Sequence, residues 1–134
     1  MAKIDIELWS LNYRLITSVI TSVAPQVATL GIEVKELFLL TEIDDHPHPA
    51  ALAERLSMPK PTVTMYLKRL QGAGLVLREI DPGDLRRHRL SLTPAGRNIM
   101  TRGLALLSDA FATRLRRLTA AEKARLKALF EKTM

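Results

Sequence analysis

Apolar residues recur at helical spacing from about Glu7 to Val23, through Leu8, Leu11, Leu15, Ile16, Val19, Ile20 and Val23, and Pro25 is expected to end or kink that helix. A second helix is predicted from Ile32 to Ile43, with Val34, Leu37, Phe38 and Leu40 apolar, and the run Asp44-Asp45-His46-Pro47-His48-Pro49 stops it. Two short helices follow, about Ala50 to Leu56 and Lys60 to Gly72, joined by Ser57-Met58-Pro59. Leu52, Ala53 and Leu56 form one face of the first. In the second, Val63, Leu67 and Leu70 form the stripe expected to be buried, leaving Pro61, Thr62, Met65, Lys68 and Arg69 on the other side.

After Gly74 the pattern changes to two short apolar strands around Asp81-Pro82-Gly83-Asp84. Pro82 presets its φ and Gly83 tolerates a positive one, so the segment reads as a hairpin. Arg86, Arg87 and Arg89 then stand at or near its tip, where like charges repel unless something negative lies opposite. Thr93-Pro94 starts another helix, a capping side chain followed by proline at the first helical position. Ile99, Met100, Leu104, Leu107, Phe111, Leu115 and Leu118 recur along it at near-heptad spacing. Thr119-Ala120-Ala121-Glu122 is a capping box that opens a last helix, running to Phe130. A chain of 134 residues has too little interior to cover the first and last helices, so a second copy is expected to pair with them. The alternative is a monomer with its terminal helices packed on its own core.

Charge sharpens this picture. The net charge is +6, yet residues 1–50 carry a balance of −4 and residues 51–134 one of +10, so the basic excess is expected to accompany the hairpin. A basic cluster by itself specifies only a polyanion. On α-helical spacing, however, the outer face of the Lys60 to Gly72 helix mixes short polar, flexible apolar and cationic groups. That set suits base edges, thymine methyls and phosphates in a major groove. There is no cysteine, which excludes disulfides, thiolate metal sites and a cysteine redox switch. No apolar run approaches the ~18 residues of a membrane span, so a soluble cytoplasmic protein is expected.

Leu52-Ala53-Glu54-Arg55-Leu56-Ser57, Thr62-Val63-Thr64, Leu67-Lys68-Arg69-Leu70, Gly74-Leu75-Val76, Asp84-x-Arg86 and Leu92-Thr93-x-x-Gly96 follow one another in the order and spacing of a known pattern. The chain resembles the MarR family (multiple antibiotic resistance regulators). That resemblance implies a mainly α-helical fold: a winged helix-turn-helix over residues 31–93, a three-helix core plus a two-stranded wing, between dimerisation helices at 1–30 and 94–134. It further implies a homodimeric regulator of transcription, a repressor of a palindromic operator in double-stranded DNA. Lys60, Pro61, Thr62, Thr64, Met65, Lys68 and Arg69 would serve the major groove, and Arg86, Arg87 and Arg89 the minor groove and phosphates, with Asp84 holding Arg86. The chain departs from the common pattern at Leu85, where a basic residue is frequent, and at Pro59 and Pro61, which frame the reading helix.

The same resemblance implies a small lipophilic or aromatic effector in a crevice between the dimerisation helices and the winged segment. Trp9, Tyr13, Ile16 and Phe38 are its candidate lining, combining apolar area with two polar handles, although each also fits plain dimer core. His46 and His48 with Asp44 and Asp45 have metal-binding chemistry, but their prolines favour a surface loop, and neither a metal nor another cofactor is expected. No phosphate loop, His-Glu-x-x-His or nucleophile elbow is present to support an enzyme. Two other functions fit a basic winged helix: a protein-contact module whose wing meets an acidic partner, and a sequence-indifferent chromosome-associated protein.

Overall fold

The computed structural model describes residues 1–134 and contains six helices and one two-stranded sheet, in the order α1 (Lys3–Ala28), α2 (Val34–Glu42), α3 (Pro49–Leu56), α4 (Lys60–Gly72), β1 (Val76–Asp81), β2 (Asp84–Leu92), α5 (Pro94–Leu115) and α6 (Ala120–Thr133). Every predicted element is present. The main boundary difference is at Pro25, which lies inside α1 and does not end it. Proline removes the N–H that the Thr21 carbonyl would accept, but Thr21 and Pro25 are both exposed, so water can take that place with only one turn of helix remaining.

The core sits beneath α2 to α4 and the sheet. Leu37, Leu39, Leu40 and Ile43 of the α2 region, Leu52 of α3 and Leu67 of α4 have no exposed surface, and Val23 and Val27 of α1 close it from the side. Each such side chain contributes roughly 1.5–3 kcal/mol relative to an exposed one. The ladder pairs Val76 with Leu92 and Arg78 with Leu90, up to an irregularity between Ile80 and Asp81 where the turn begins; Val76 and Leu90 are buried near its base, and the residues between them and the turn are exposed.

Two close approaches join the winged segment to α5. Thr93 caps α5 by accepting the Gly96 N–H at 2.9 Å, while its own hydroxyl donates to the Gly74 carbonyl at 2.7 Å and its N–H to the Leu75 carbonyl at 3.1 Å. A Cβ on Gly96 would fall 2.0 Å from that same Leu75 oxygen, so only glycine fits. One helical stretch further on, Gly103 lets the Leu37 side chain press against the α5 backbone. Beyond this point α5 leaves the core, and α6, despite a complete capping box at Thr119 and Glu122, buries no residue at all.

Candidate nucleic-acid interface

Helix α4 is oriented by its apolar stripe. Val63, Leu67 and Leu70 are buried as the spacing predicts, and Tyr66 joins them. Lys60, Pro61, Thr64, Met65 and Lys68 are exposed and Thr62 is half-buried. The first turn is more closed than an ordinary helix start. Pro61 has no N–H, and the Thr62 and Val63 N–H groups both donate to the Pro59 carbonyl, at 3.0 and 3.1 Å. A phosphate at this end would therefore meet the Lys60 side chain and few backbone donors.

Arg69 is placed otherwise than expected. Its guanidinium pairs with Glu33 at 3.2 Å and with Glu36 at 3.4 Å, bracing α4 against the start of α2. Glu36 is almost fully buried, and its carboxylate also accepts the Glu33 N–H at 3.0 Å to complete a capping box. Removing Arg69 would leave that buried charge with one partner fewer, a structural role that differs from phosphate contact. Tyr66 lies in the same neighbourhood. Burial above all, then the Glu33 carboxylate, pushes its phenol above the ordinary tyrosine value.

In the wing, an unforeseen residue organises the turn. Asp81 is buried; its carboxylate accepts the Gly83 N–H at 2.7 Å and the Arg87 Nε–H at 3.2 Å, and faces His48 Nε2 at 3.4 Å. The Gly83 hydrogen bond, with Arg87 and His48, holds the Asp81 carboxyl below the usual carboxylate range against the opposing effect of burial. Gly83 itself keeps a negative φ, so the side chain of Asp81, and not a left-handed glycine, makes this turn. Arg87 is consequently tied down. Arg86 is nearly fully exposed, with Asp84 Oδ1 accepting its N–H at 3.0 Å and lying 3.5 Å from its Nε. Arg89 is exposed opposite Glu79 in the ladder.

The loop before α3 is fastened to the wing. The Leu90 N–H donates to the Pro47 carbonyl at 2.7 Å, and His48 Nδ1 lies 3.0 Å from the His88 carbonyl. His48 thus joins the loop to the His88 carbonyl of β2 and to the Asp81 carboxylate of β1, and His46 lies 3.8 Å from Glu42. No group of three or more histidine and acidic side chains is arranged to hold a metal ion. The expectation of a free surface loop is corrected at His48, and spacing alone gave no signal for it because its partners lie 33 and 40 residues away.

The charge assignment is corrected too. The winged segment 31–93 carries nine basic and nine acidic residues, and the entire excess of +6 lies in residues 94–134. Local placement, not net charge, makes α4 and the wing cationic: Glu33, Glu36, Asp81 and Asp84 are engaged with named arginines, while Lys60 and Lys68 have no carboxylate within 4 Å.

The four candidate effector residues do not share one cavity. Ile16 and Phe38 line an apolar cavity of about 370 Å³ with Val19, Ile20, Leu107 and Phe111, between α1, α2 and α5. Trp9 and Ile16 line a larger groove of about 940 Å³ between α1 and α6. Tyr13 lines neither, and its ring lies 6.3 Å from that of Trp9 on the exposed side of α1. No helix is long and apolar enough to cross a membrane.

Comparison with known proteins agrees with this architecture. The family model of the MarR family matches residues 30–87, which span α2, α3, α4 and most of the wing. The HTH-type transcriptional repressor Rv2887 of Mycobacterium tuberculosis is 29% identical over 130 residues, covering 96% of this chain and 94% of the repressor. The crystal structure of Rv2887 in complex with DNA superposes with a TM-score of 0.79 over 94% of this chain and 96% of that one. A mutant MarR from E. coli complexed with operator DNA is 26% identical, with a TM-score of 0.79 and coverage of 96% and 94%.

Proposed function

We propose that the chain is a member of the MarR family and a homodimeric, DNA-binding repressor of transcription that acts in the cytoplasm on a palindromic operator. The observation that carries this reading is the two-sidedness of α4. Val63, Tyr66, Leu67 and Leu70 fix one side in the core, while Thr64, Met65 and Lys68 project from the other, unpaired. Thr62 and Met65 read bases; Lys60, Lys68, Arg86 and Arg89 neutralise phosphates or enter the minor groove, and supply most of the affinity. Arg87 and Arg69 act by holding the wing and α4 in place.

The dimer forms through the groove between α1 and α6. Leu8, Leu11, Leu15, Leu126, Leu129 and Phe130 line it, and a second copy of the same helices supplies the apolar surface that covers them. Two α4 helices then address half-sites about one DNA turn apart. A small lipophilic or aromatic effector enters the cavity of Ile16, Phe38 and Phe111, and it releases DNA only insofar as it prefers the DNA-incompetent state.

Selection from a random duplex pool tests the whole reading. A two-fold symmetric motif is expected; a motif without symmetry, or none, rejects it. Arg86→Ala should then weaken operator binding and lower the slope of log affinity against log salt by roughly one unit. An unchanged affinity and slope would remove the wing from the interface.

A further inference from the structure

The cationic excess of this chain points away from the winged segment. Residues 94–134 hold nine basic and three acidic residues, and two of those acids are engaged: Glu122 accepts the Thr119 N–H at 2.9 Å, and Glu131 pairs with Lys127. Arg114, Arg116 and Arg117 stand within four residues where α5 ends, all exposed, and none has a carboxylate within 4 Å. Exposed cations without counter-charges make this end of the molecule locally positive, a field that favours a polyanion.

A groove beside them has matching chemistry. Arg114 forms one wall and Arg14 of α1 the other, around a space of about 500 Å³, with Thr17, Ser18, Thr21 and Ser22 completing the lining and no apolar side chain present. The Thr17 and Ser18 hydroxyls donate to carbonyls of their own helix at 2.8 Å, while those of Thr21 and Ser22 are free. Arginine with serine and threonine is the donor set that proteins bring to nucleic-acid phosphates. The lack of any apolar residue is unlike a protein interface, whose centre is apolar and aromatic, and unlike a membrane-inserting face.

Distance separates this surface from the reading helix. Helix α5 starts at the wing, where Gly96 meets Leu75, and its 22 residues carry the chain roughly 33 Å before the arginines are reached. We propose that the α5–α6 corner, with the Arg14–Arg114 groove, is a second phosphate-backbone surface that holds another DNA duplex, independent of sequence, while the winged segment occupies the operator. A dimer presents two such corners, so one regulator can join separate DNA segments.

The test uses the full chain, an operator duplex fixed on beads and a free labelled duplex of random sequence, at low salt. Wild type should retain the free duplex on the operator beads. The triple variant Arg114→Gln, Arg116→Gln, Arg117→Gln should lose about tenfold or more of that retention with little change in operator affinity, and raising the salt should abolish retention first. A matching thermal melt shows that the variant is folded, and the Arg116→Gln, Arg117→Gln pair replaces it if it is not. In a wing variant, Arg86→Ala, random-duplex binding through the corner should persist while operator binding weakens, which separates this surface from the reading head. No retention by wild type, equal retention by the triple variant, or parallel loss of operator affinity overturns the proposal. Binding of phosphatidylglycerol vesicles or of an acidic protein in place of the second duplex overturns it as well.

Discussion

The winged segment and the helical ends of this chain solve opposite problems. Of the 22 buried residues, all but Val19, Val23, Val27, Gly96 and Gly103 lie within residues 31–93. That segment is electrically balanced, and its two buried acids, Glu36 and Asp81, pair with Arg69 and Arg87. The C-terminal end carries the excess charge, and both ends leave apolar residues, Leu8, Trp9, Leu11, Leu129 and Phe130, open to solvent. A reading head whose core is closed by α1 and α5 thus stands on helices whose outer apolar residues are left for the proposed second copy to cover. Affinity for DNA and assembly can thus be altered separately, and the close contacts at Gly96 and Gly103 are where the two regions join.

The largest effect that would break this division is at the groove of the ends. Leu11→Asp combined with Leu126→Asp places charge on both walls, and burying it without a partner would cost several kcal/mol. Sedimentation should find monomer, with the winged segment still helical by circular dichroism. A folded dimer bearing both changes would move the interface elsewhere.

Next comes the joint between the regions. Gly96→Ala sets a methyl group 2.0 Å from the Leu75 carbonyl oxygen, backbone against backbone, where no flexible side chain can yield. Overpacking of this kind costs typically 1–3 kcal/mol, and its loss should appear as a lower melting temperature together with weaker operator binding. Stability reduced without any effect on DNA would mean that the wing docks on α5 without being positioned by it.

How far the sequence could be read follows the same division. Periodicity and caps placed all eight elements, because the stripes of α4 and α5 and the capping box at Thr119 are local signals. The interior side of α4 was legible for the same reason. What escaped were partners distant in sequence, Arg69 with Glu33 and Glu36 and Asp81 with His48, and one local arrangement, Asp81 holding Gly83 and Arg87, that was hidden in a turn read from Pro82 and Gly83 alone. A basic residue beside a reading helix has the same local appearance whether it faces phosphate or a buried glutamate. Pro25 failed as a stop because a proline near the end of an exposed helix removes a hydrogen bond that water replaces.

A smaller effect distinguishes neighbouring cations on α4. Lys68→Ala should weaken binding to operator and random duplex alike, with the salt slope reduced by roughly one unit. Arg69→Ala should instead lower thermal stability, by about 1–3 kcal/mol for a half-exposed cation whose partner Glu36 stays buried, and leave the salt slope nearly unchanged. Equal salt-slope changes in both variants would return Arg69 to the DNA face.

The smallest effect is confined to the wing and depends on pH. Asp81 has a folded-state carboxyl held below its ordinary value, first by the Gly83 N–H and then by Arg87 and His48. Below the ordinary carboxylate value of about 4 the unfolded wing binds a proton more readily than the folded one, so stability rises with pH there. The contribution of Asp81 is therefore complete above that value and is lost as pH falls through the lower folded one. Amide exchange followed from pH 5 downward should show Gly83, Arg87 and Leu90 losing protection before the amides of Leu39, Leu40 and Leu67. Asp81→Asn keeps an acceptor for the Gly83 N–H but removes the titrating charge beside Arg87, so it should weaken the wing at every pH and erase the early acid step. Wing amides that open at the same pH in both proteins would show that the turn is held by its backbone alone and that the Asp81 carboxylate does not brace it.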